Sequence, residues 1–102
     1  MAILTDTLRA RLPPIHSQEA EEDPIVFAKF LLPGTALGWY PIEGQPEAED
    51  YLFFGFVLGP DDFRFFRLSM LEDVRGPVGQ MIEIDTGFTE GRLTEVVPAP
   101  DC

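Results

Sequence analysis

Few side chains in this chain are suited to acid–base or metal chemistry, and their spacing limits what they can do. Glu83 and Asp85 lie two apart in the run MIEID, Met81–Asp85. On a strand that spacing turns both carboxylates to one side, where a pair can exchange protons or hold a divalent cation. The same alternation describes the water-facing side of a half-buried strand with Ile82 and Ile84 inward, and this reading is the stronger. His16 is the only histidine. His16-x-x-Glu19 would offer two metal ligands on one helical turn, but Pro13-Pro14 lies directly upstream. A loop histidine near acids is therefore expected. Cys102 is the only cysteine, so neither an intramolecular disulfide nor a cysteine metal site can form, and a reducing compartment fits. An activated thiol needs an electropositive, partly buried setting that a loose tail does not provide. Ser69 is better placed as a helix cap than as a nucleophile, and a Ser-His-Asp constellation cannot be assembled. Gly76-Pro77-x-Gly79 lacks the Lys and the Ser or Thr of a phosphate loop. No catalytic residue, cofactor or metal is expected.

Arg64 and Arg67 fall on opposite parities of one apolar run. Arg75 closes a short helix, where it would complement the dipole and pair with Glu72 or Glu83. Trp39 and Tyr40 adjoin Pro41 in a short strand. Near the surface they would make an apolar docking patch, and the edge at Trp39 would offer a surface for a homodimer.

The elements that must position these groups follow from hydrophobic periodicity. Leu4, Leu8 and Leu12 form one stripe of a helix over Met1–Leu12, capped by Thr5 or Asp6 and stopped by Pro13-Pro14. Ile15–Asp23 is a polar linker ending in Glu19, Glu21, Glu22 and Asp23. Ile25–Leu32 reads as a strand apolar on both parities, closed by the turn Pro33-Gly34. Trp39–Ile42 is a second strand, demoted toward an edge by its proline. Gly44–Asp50 is a second acidic loop carrying Glu47, Glu49 and Asp50. Tyr51–Leu58 (YLFFGFVL) is the strongest strand signal and belongs centrally, and Gly55 within it marks a bulge or a close backbone approach. Phe63–Leu68 pairs with it as a hairpin across Gly59–Asp62. Ser69-x-x-Glu72 fits a capping box opening a two-turn helix that ends at Gly76-Pro77. Met81–Asp85 is a half-buried strand, and Leu93–Val97 is weakly helical or extended.

These elements assemble into an α+β fold: one small domain over residues 1–97, an antiparallel meander sheet of four to five strands with two short helices on one face. Residues 98–102 form a frayed tail. In a meander the first and third strands run the same way, so their starts lie at one end of the sheet, about 10 Å apart. Each start follows an acidic run. Glu19, Glu21, Glu22 and Asp23 should therefore gather near Glu47, Glu49 and Asp50, with Glu43 in the neighbouring turn, as one negative pole.

The chain has 102 residues, 18 Asp plus Glu against 7 Lys plus Arg, and a formal charge of −11. Its 45% hydrophobic and 12% aromatic content is too rich for a disordered acidic tail. The charge excludes direct nucleic-acid binding, which depends on neutralising phosphates, and disfavours anionic membranes. No secretory or membrane-spanning run is evident, so a cytoplasmic protein with a basic partner is expected.

The series LTDTLRARLPPI, DPIVFAKFLLP, WYPIEG, YLFFGFVLG, FFRLSMLEDVRGPVG and IEID with Phe88 resembles a small bacterial family of unknown function carried mostly by plasmids, integrative elements and phages. The match spans roughly residues 1–97 in order and spacing. Family members usually read Glu-Arg-Asp where this chain has Glu83-Ile84-Asp85, which removes a cation from that site. The resemblance implies a setting among accessory genes of mobile elements, near anti-restriction and conjugation genes, and no catalytic residue. Two functions are then expected as alternatives. One is a non-enzymatic acidic protein that occupies the basic surface of a nucleic-acid-binding host protein, in the manner of an anti-restriction or anti-CRISPR inhibitor. A duplex carries one charge per ~1.7 Å, so such a mimic needs closely spaced carboxylates on a rigid edge. The other is a small accessory domain that binds through the apolar patch around Trp39 and Tyr40.

Overall fold

The leucine stripe and the aromatic runs meet in one layer. In a computed structural model describing residues 3–97, Leu4, Leu8 and Leu12 are all buried against the sheet aromatics. The expected helix is shorter than its stripe. α1 is Asp6–Arg11, its first turn closed by Thr5, whose Oγ1 accepts the Leu8 N–H at 3.1 Å. Met1, Ala2, the tail 98–102 and with it Cys102 lie outside the described residues.

The main sheet is built on a hairpin of β3 (Gly38–Glu47) and β4 (Asp50–Leu58), turned by Ala48-Glu49 with Ala48 at φ +53°. β5 (Asp62–Arg67) follows across Gly59-Pro60-Asp61. β2 (Phe30–Leu31) and β6 (Glu83–Ile84) complete an antiparallel sheet of order β5-β4-β3-β2-β6. The expected single strand Ile25–Leu32 is instead divided. β1 (Ile25–Val26) pairs with β7 (Gly91–Arg92) in a separate two-stranded sheet, and only β2 joins the main one. Being apolar on both parities, the segment can serve both layers.

The largest departure concerns Trp39–Ile42. It is the start of a ten-residue strand at the centre of the sheet and not an edge. The prolines are tolerated because β2 pairs only with Gly38 and Trp39. Pro41 therefore lacks a sheet neighbour on that side, and its carbonyl accepts the Phe27 N–H at 3.1 Å. Trp39 and Tyr40 are both buried, at 7% and 0% exposure, so the apolar patch and the homodimer edge placed there do not exist. Gly44–Glu47, expected as loop, is strand.

Each sheet face buries its own core. On one face Trp39, Tyr51, Phe53, Val57 and Phe66 pack with Phe30, the α1 leucines and Leu71 of α2 (Leu68–Asp73). Phe53 sits between Phe30 and Phe66, with ring centroids 5.5 and 5.4 Å away. On the other face Val26, Tyr40 and Ile42 are covered by Phe88 and by Leu93 and Val96 of α3 (Leu93–Val96). Both expected helices thus cover one face, and a third covers part of the other. α2 and the following segment carry the chain beneath the sheet from its β5 edge to its β6 edge.

Candidate functional site

The register of β3 against β4 steps at Ile42: Pro41 faces Gly55, and Glu43 faces Phe54. Such a bulge sets two successive side chains on one face, so Ile42 and Glu43 both stand on the side away from α1. Glu43, expected in a turn as part of the negative pole, lies in β3 and is 2% exposed. Its Oε1 accepts the His16 N–H at 2.9 Å and its Oε2 the Gln18 N–H at 2.6 Å. A buried carboxylate requires such partners. Gln45 Oε1 takes the Ile15 N–H, and the Gln18 side chain bonds both Ile25 backbone groups and the Ile42 carbonyl. The acidic linker is thereby stitched across the sheet, with His16 held at φ +77°.

A groove of about 370 Å³ lies beside this linker. Glu19 and Glu21 stand on one wall, Ile42 and Phe54 form the floor, and Phe63 and Phe65 of β5 form the other wall. Phe63 and Phe65 are 42% and 55% exposed. Their rings are fixed against Phe54, with centroids 5.8 and 4.7 Å away. Sequence reasoning placed these phenylalanines on a strand but missed their exposure, because nothing in FRFFR says which face remains uncovered.

The second acidic run is at the β3–β4 hairpin and is placed by a different element. The expected juxtaposition of two strand starts does not apply: β1 is outside the main sheet, and Phe30 of β2 is level with Trp39 and Val57, at the far end of β4 from Asp50. Several pole residues have structural partners. Glu47 accepts from Arg67 Nε at 2.6 Å, and Arg92 lies 3.9 Å from Glu21. Asp50 takes the Ser69 N–H at 3.1 Å and the Ser69 hydroxyl at 2.5 Å, closing the start of α2. The expected capping box is absent: Ser69 sits inside the helix and the capping carboxylate comes from β4. Asp23 does the same for α3, taking the Thr94 N–H at 3.0 Å and hydroxyl at 2.7 Å. Glu19 has only His16, 3.7 Å away, while Glu22 and Glu49 make no hydrogen bond or ion pair among the described residues.

The two capping aspartates make stability depend on pH. The Ser69 hydroxyl, then the Tyr51 N–H, holds the Asp50 carboxyl below the ordinary aspartate range. The Thr94 hydroxyl and N–H hold Asp23 down likewise. Groups with a lowered folded pKa stabilise fully above the unfolded value, about pH 4, and that contribution is lost as pH falls through the folded value. The thermal midpoint should therefore drop below about pH 4. The double variant Asp23→Asn/Asp50→Asn should melt lower at pH 7 and show a flatter decline below pH 4, measured by circular dichroism.

A family model described as "Protein of unknown function (DUF2958)" matches residues 3–98. The chain belongs to that family. No curated protein and no solved structure matches it. In this DUF2958 domain the other sequence candidates fall as follows. Glu83 is exposed on the edge strand β6, and Asp85 Oδ1 accepts the Gly87 N–H at 2.9 Å in a local turn. Arg75 pairs with neither Glu72 nor Glu83 through their carboxylates; it donates to the Glu72 and Val74 carbonyls at the end of α2. Among the described residues no group of three or more His, Cys, Asp or Glu is arranged to hold a metal ion, and no helix is long and apolar enough to cross a membrane.

All 7 Lys and Arg of the DUF2958 domain are engaged within it. Arg11 pairs with Glu90, Arg64 with Asp62 and Arg67 with Glu47. Arg9 and Lys29 lie over the Tyr51 and Tyr40 rings at 5.1 and 5.8 Å. Arg92 donates to the Asp23 carbonyl, and Arg75 to the end of α2. The surplus on the surface is therefore carboxylate.

Proposed function

We propose that this DUF2958 member is a non-enzymatic interaction protein of mobile genetic elements that occupies the basic, nucleic-acid-binding surface of a cytoplasmic host defence protein. The observation that supports this reading is the engagement of every cation inside the domain while Glu19, Glu22 and Glu49 stand unmatched by any arginine or lysine. A net charge of −11 steers the protein toward basic surfaces and away from phosphates. The reading needs no enzymatic step, and no cofactor enters it. Its working carboxylates are the linker acids Glu19, Glu21 and Glu22 together with Glu49 at the hairpin. Glu43, Asp23, Asp50 and Glu47 hold the framework.

The test uses restriction and CRISPR nucleases as probes, reading inhibition of DNA cleavage and binding by calorimetry at two salt concentrations. Inhibition should require no DNA contact by the protein. Affinity should fall at least about tenfold between 0.05 and 0.3 M salt, as expected for exposed charges. Reversing Glu19, Glu21, Glu22 and Glu49 to Lys should abolish binding and leave the fold intact, since all four are exposed. Binding indifferent to salt and to these reversals would refute the proposal.

A further inference from the structure

The groove ends on an unpaired strand. β5 is the outermost strand of the main sheet, and its backbone makes no hydrogen bond other than to β4 among the described residues. Edge strands left open are templates for pairing with another chain, and proteins ordinarily block them with proline, a bulge or an inward charge. β5 has no proline and no bulge, and DFRFFR runs in unbroken register with β4 from Asp62 to Arg67; its charged Asp62 and Arg64, on the face of the buried Phe66, are paired with each other. Its groove-side residues are Phe63 and Phe65, whose rings are fixed by Phe54 and Phe56. Opposite them, across the groove, stand Glu19 and Glu21.

We infer that β5 accepts an extended segment of a partner protein as an added strand, with an arginine or lysine of that segment lying in the groove. The inference rests on the acidic-surface reading above and specifies the partner's chemistry. Strand addition supplies affinity through backbone hydrogen bonds, and alternate side chains supply specificity. A side chain on the groove side of the added strand must cross the rings of Phe63 and Phe65 before it meets Glu19 or Glu21. Arginine suits both stretches: its stem and guanidinium plane stack on aromatic faces, and its fork bonds carboxylates. A purely aliphatic side chain would cover the rings but add no cation beside Glu19, which has only His16 near it, or beside Glu21, which shares Arg92 at 3.9 Å. A second copy of this chain is the poorer occupant, because each carries −11 and the β5 arginines are already paired with Asp62 and Glu47.

The probe is a capped peptide alternating arginine and threonine over about eight residues, one strand length. It is compared with the same peptide N-methylated at alternate amides, which keeps its charge but cannot complete a strand ladder. Binding should slow hydrogen exchange and shift the amide resonances of residues 62–67. N-methylation on the edge-facing side should weaken it at least about tenfold, Glu19→Lys/Glu21→Lys by a similar factor, and Phe65→Ala about fivefold, in line with typical anchor truncations. Equal affinity for the N-methylated peptide, or unchanged β5 amides, overturns strand addition. If charge reversal and salt still abolish binding in that case, the acidic-surface reading survives alone. If charge reversal has no effect while N-methylation does, the acidic-surface reading fails and the arginine assignment fails with it. Concentration-dependent protection of residues 62–67 without peptide also overturns the inference, in favour of self-pairing.

Discussion

Gly55→Ala should cost about 3 kcal/mol or more and lower the thermal midpoint by about 12 °C or more, a large share of the stability of a domain this size. Gly55 faces Pro41 where the β3 register steps. A Cβ there would lie 2.1 Å from the Tyr40 carbonyl oxygen and 2.7 Å from Pro41 Cα. Both are backbone atoms of the neighbouring strand, so no rotamer change relieves the clash. The two strands would have to part at the centre of the sheet, beneath both cores. At Gly44, by contrast, the close contacts of an added Cβ are with side chains, the Tyr51 ring at 2.7 Å and Leu12 Cδ1 at 3.0 Å, and the nearest backbone atom, the Leu52 oxygen, is 3.4 Å away. Thermal denaturation followed by circular dichroism measures the effect, and a variant melting within a few degrees of the parent would show that the bulge is pliable.

The second large effect is expected at Glu43. Truncation to alanine removes both acceptors for the His16 and Gln18 amides. Hydrogen bonds to a charged partner contribute about 1.5–3 kcal/mol each, so Glu43→Ala should destabilise by about 3 kcal/mol in urea unfolding. Glu43→Gln keeps the shape and one acceptor but turns an amide donor toward a backbone N–H, and should lose about half as much. The signature that separates this from ordinary core damage is local. Amide exchange of residues 15–23 should accelerate in the alanine variant well beyond that of β4, because the linker has lost its anchor. Uniform acceleration across the sheet would assign Glu43 to the core in general.

The lesson about legibility is in these same residues. Periodicity located the helices, the β4–β5 hairpin and the inward Ile82 and Ile84, because each depends on local sequence. Gly55 reads as a bulge or a close backbone approach, since a glycine amid large aromatics has few other uses, and the structure shows the close approach, with the register step on the facing strand. What escaped were consequences of pairing. Pro41 argued for an edge, yet β2 stops short of it and leaves room for a proline in a central strand. Ser69 and Glu72 matched a capping pattern, but the cap is Asp50, nineteen positions earlier. The acidic residues were found as runs, and their differing duties depend on what the fold sets beside them. Glu43 is invisible as an anchor because its partners are backbone amides, which every sequence has. Phe63 and Phe65 could be read as strand residues, while their exposure depends on where the sheet ends.

The borrowed caps bear on the order in which this chain becomes ordered. α2 and α3 have six and four residues, far below the length at which a helix persists in water. Each is closed by an aspartate from a distant stretch, Asp50 for one and Asp23 for the other. Neither helix has all its first-turn partners until the strand or linker bearing that aspartate has arrived; in α3 only the Arg92 N–H is met locally, by Glu95. These helices are therefore late-forming and follow the hairpins instead of seeding them, so the search for the native state is governed by non-local strand pairing and should proceed at the pace of a β protein.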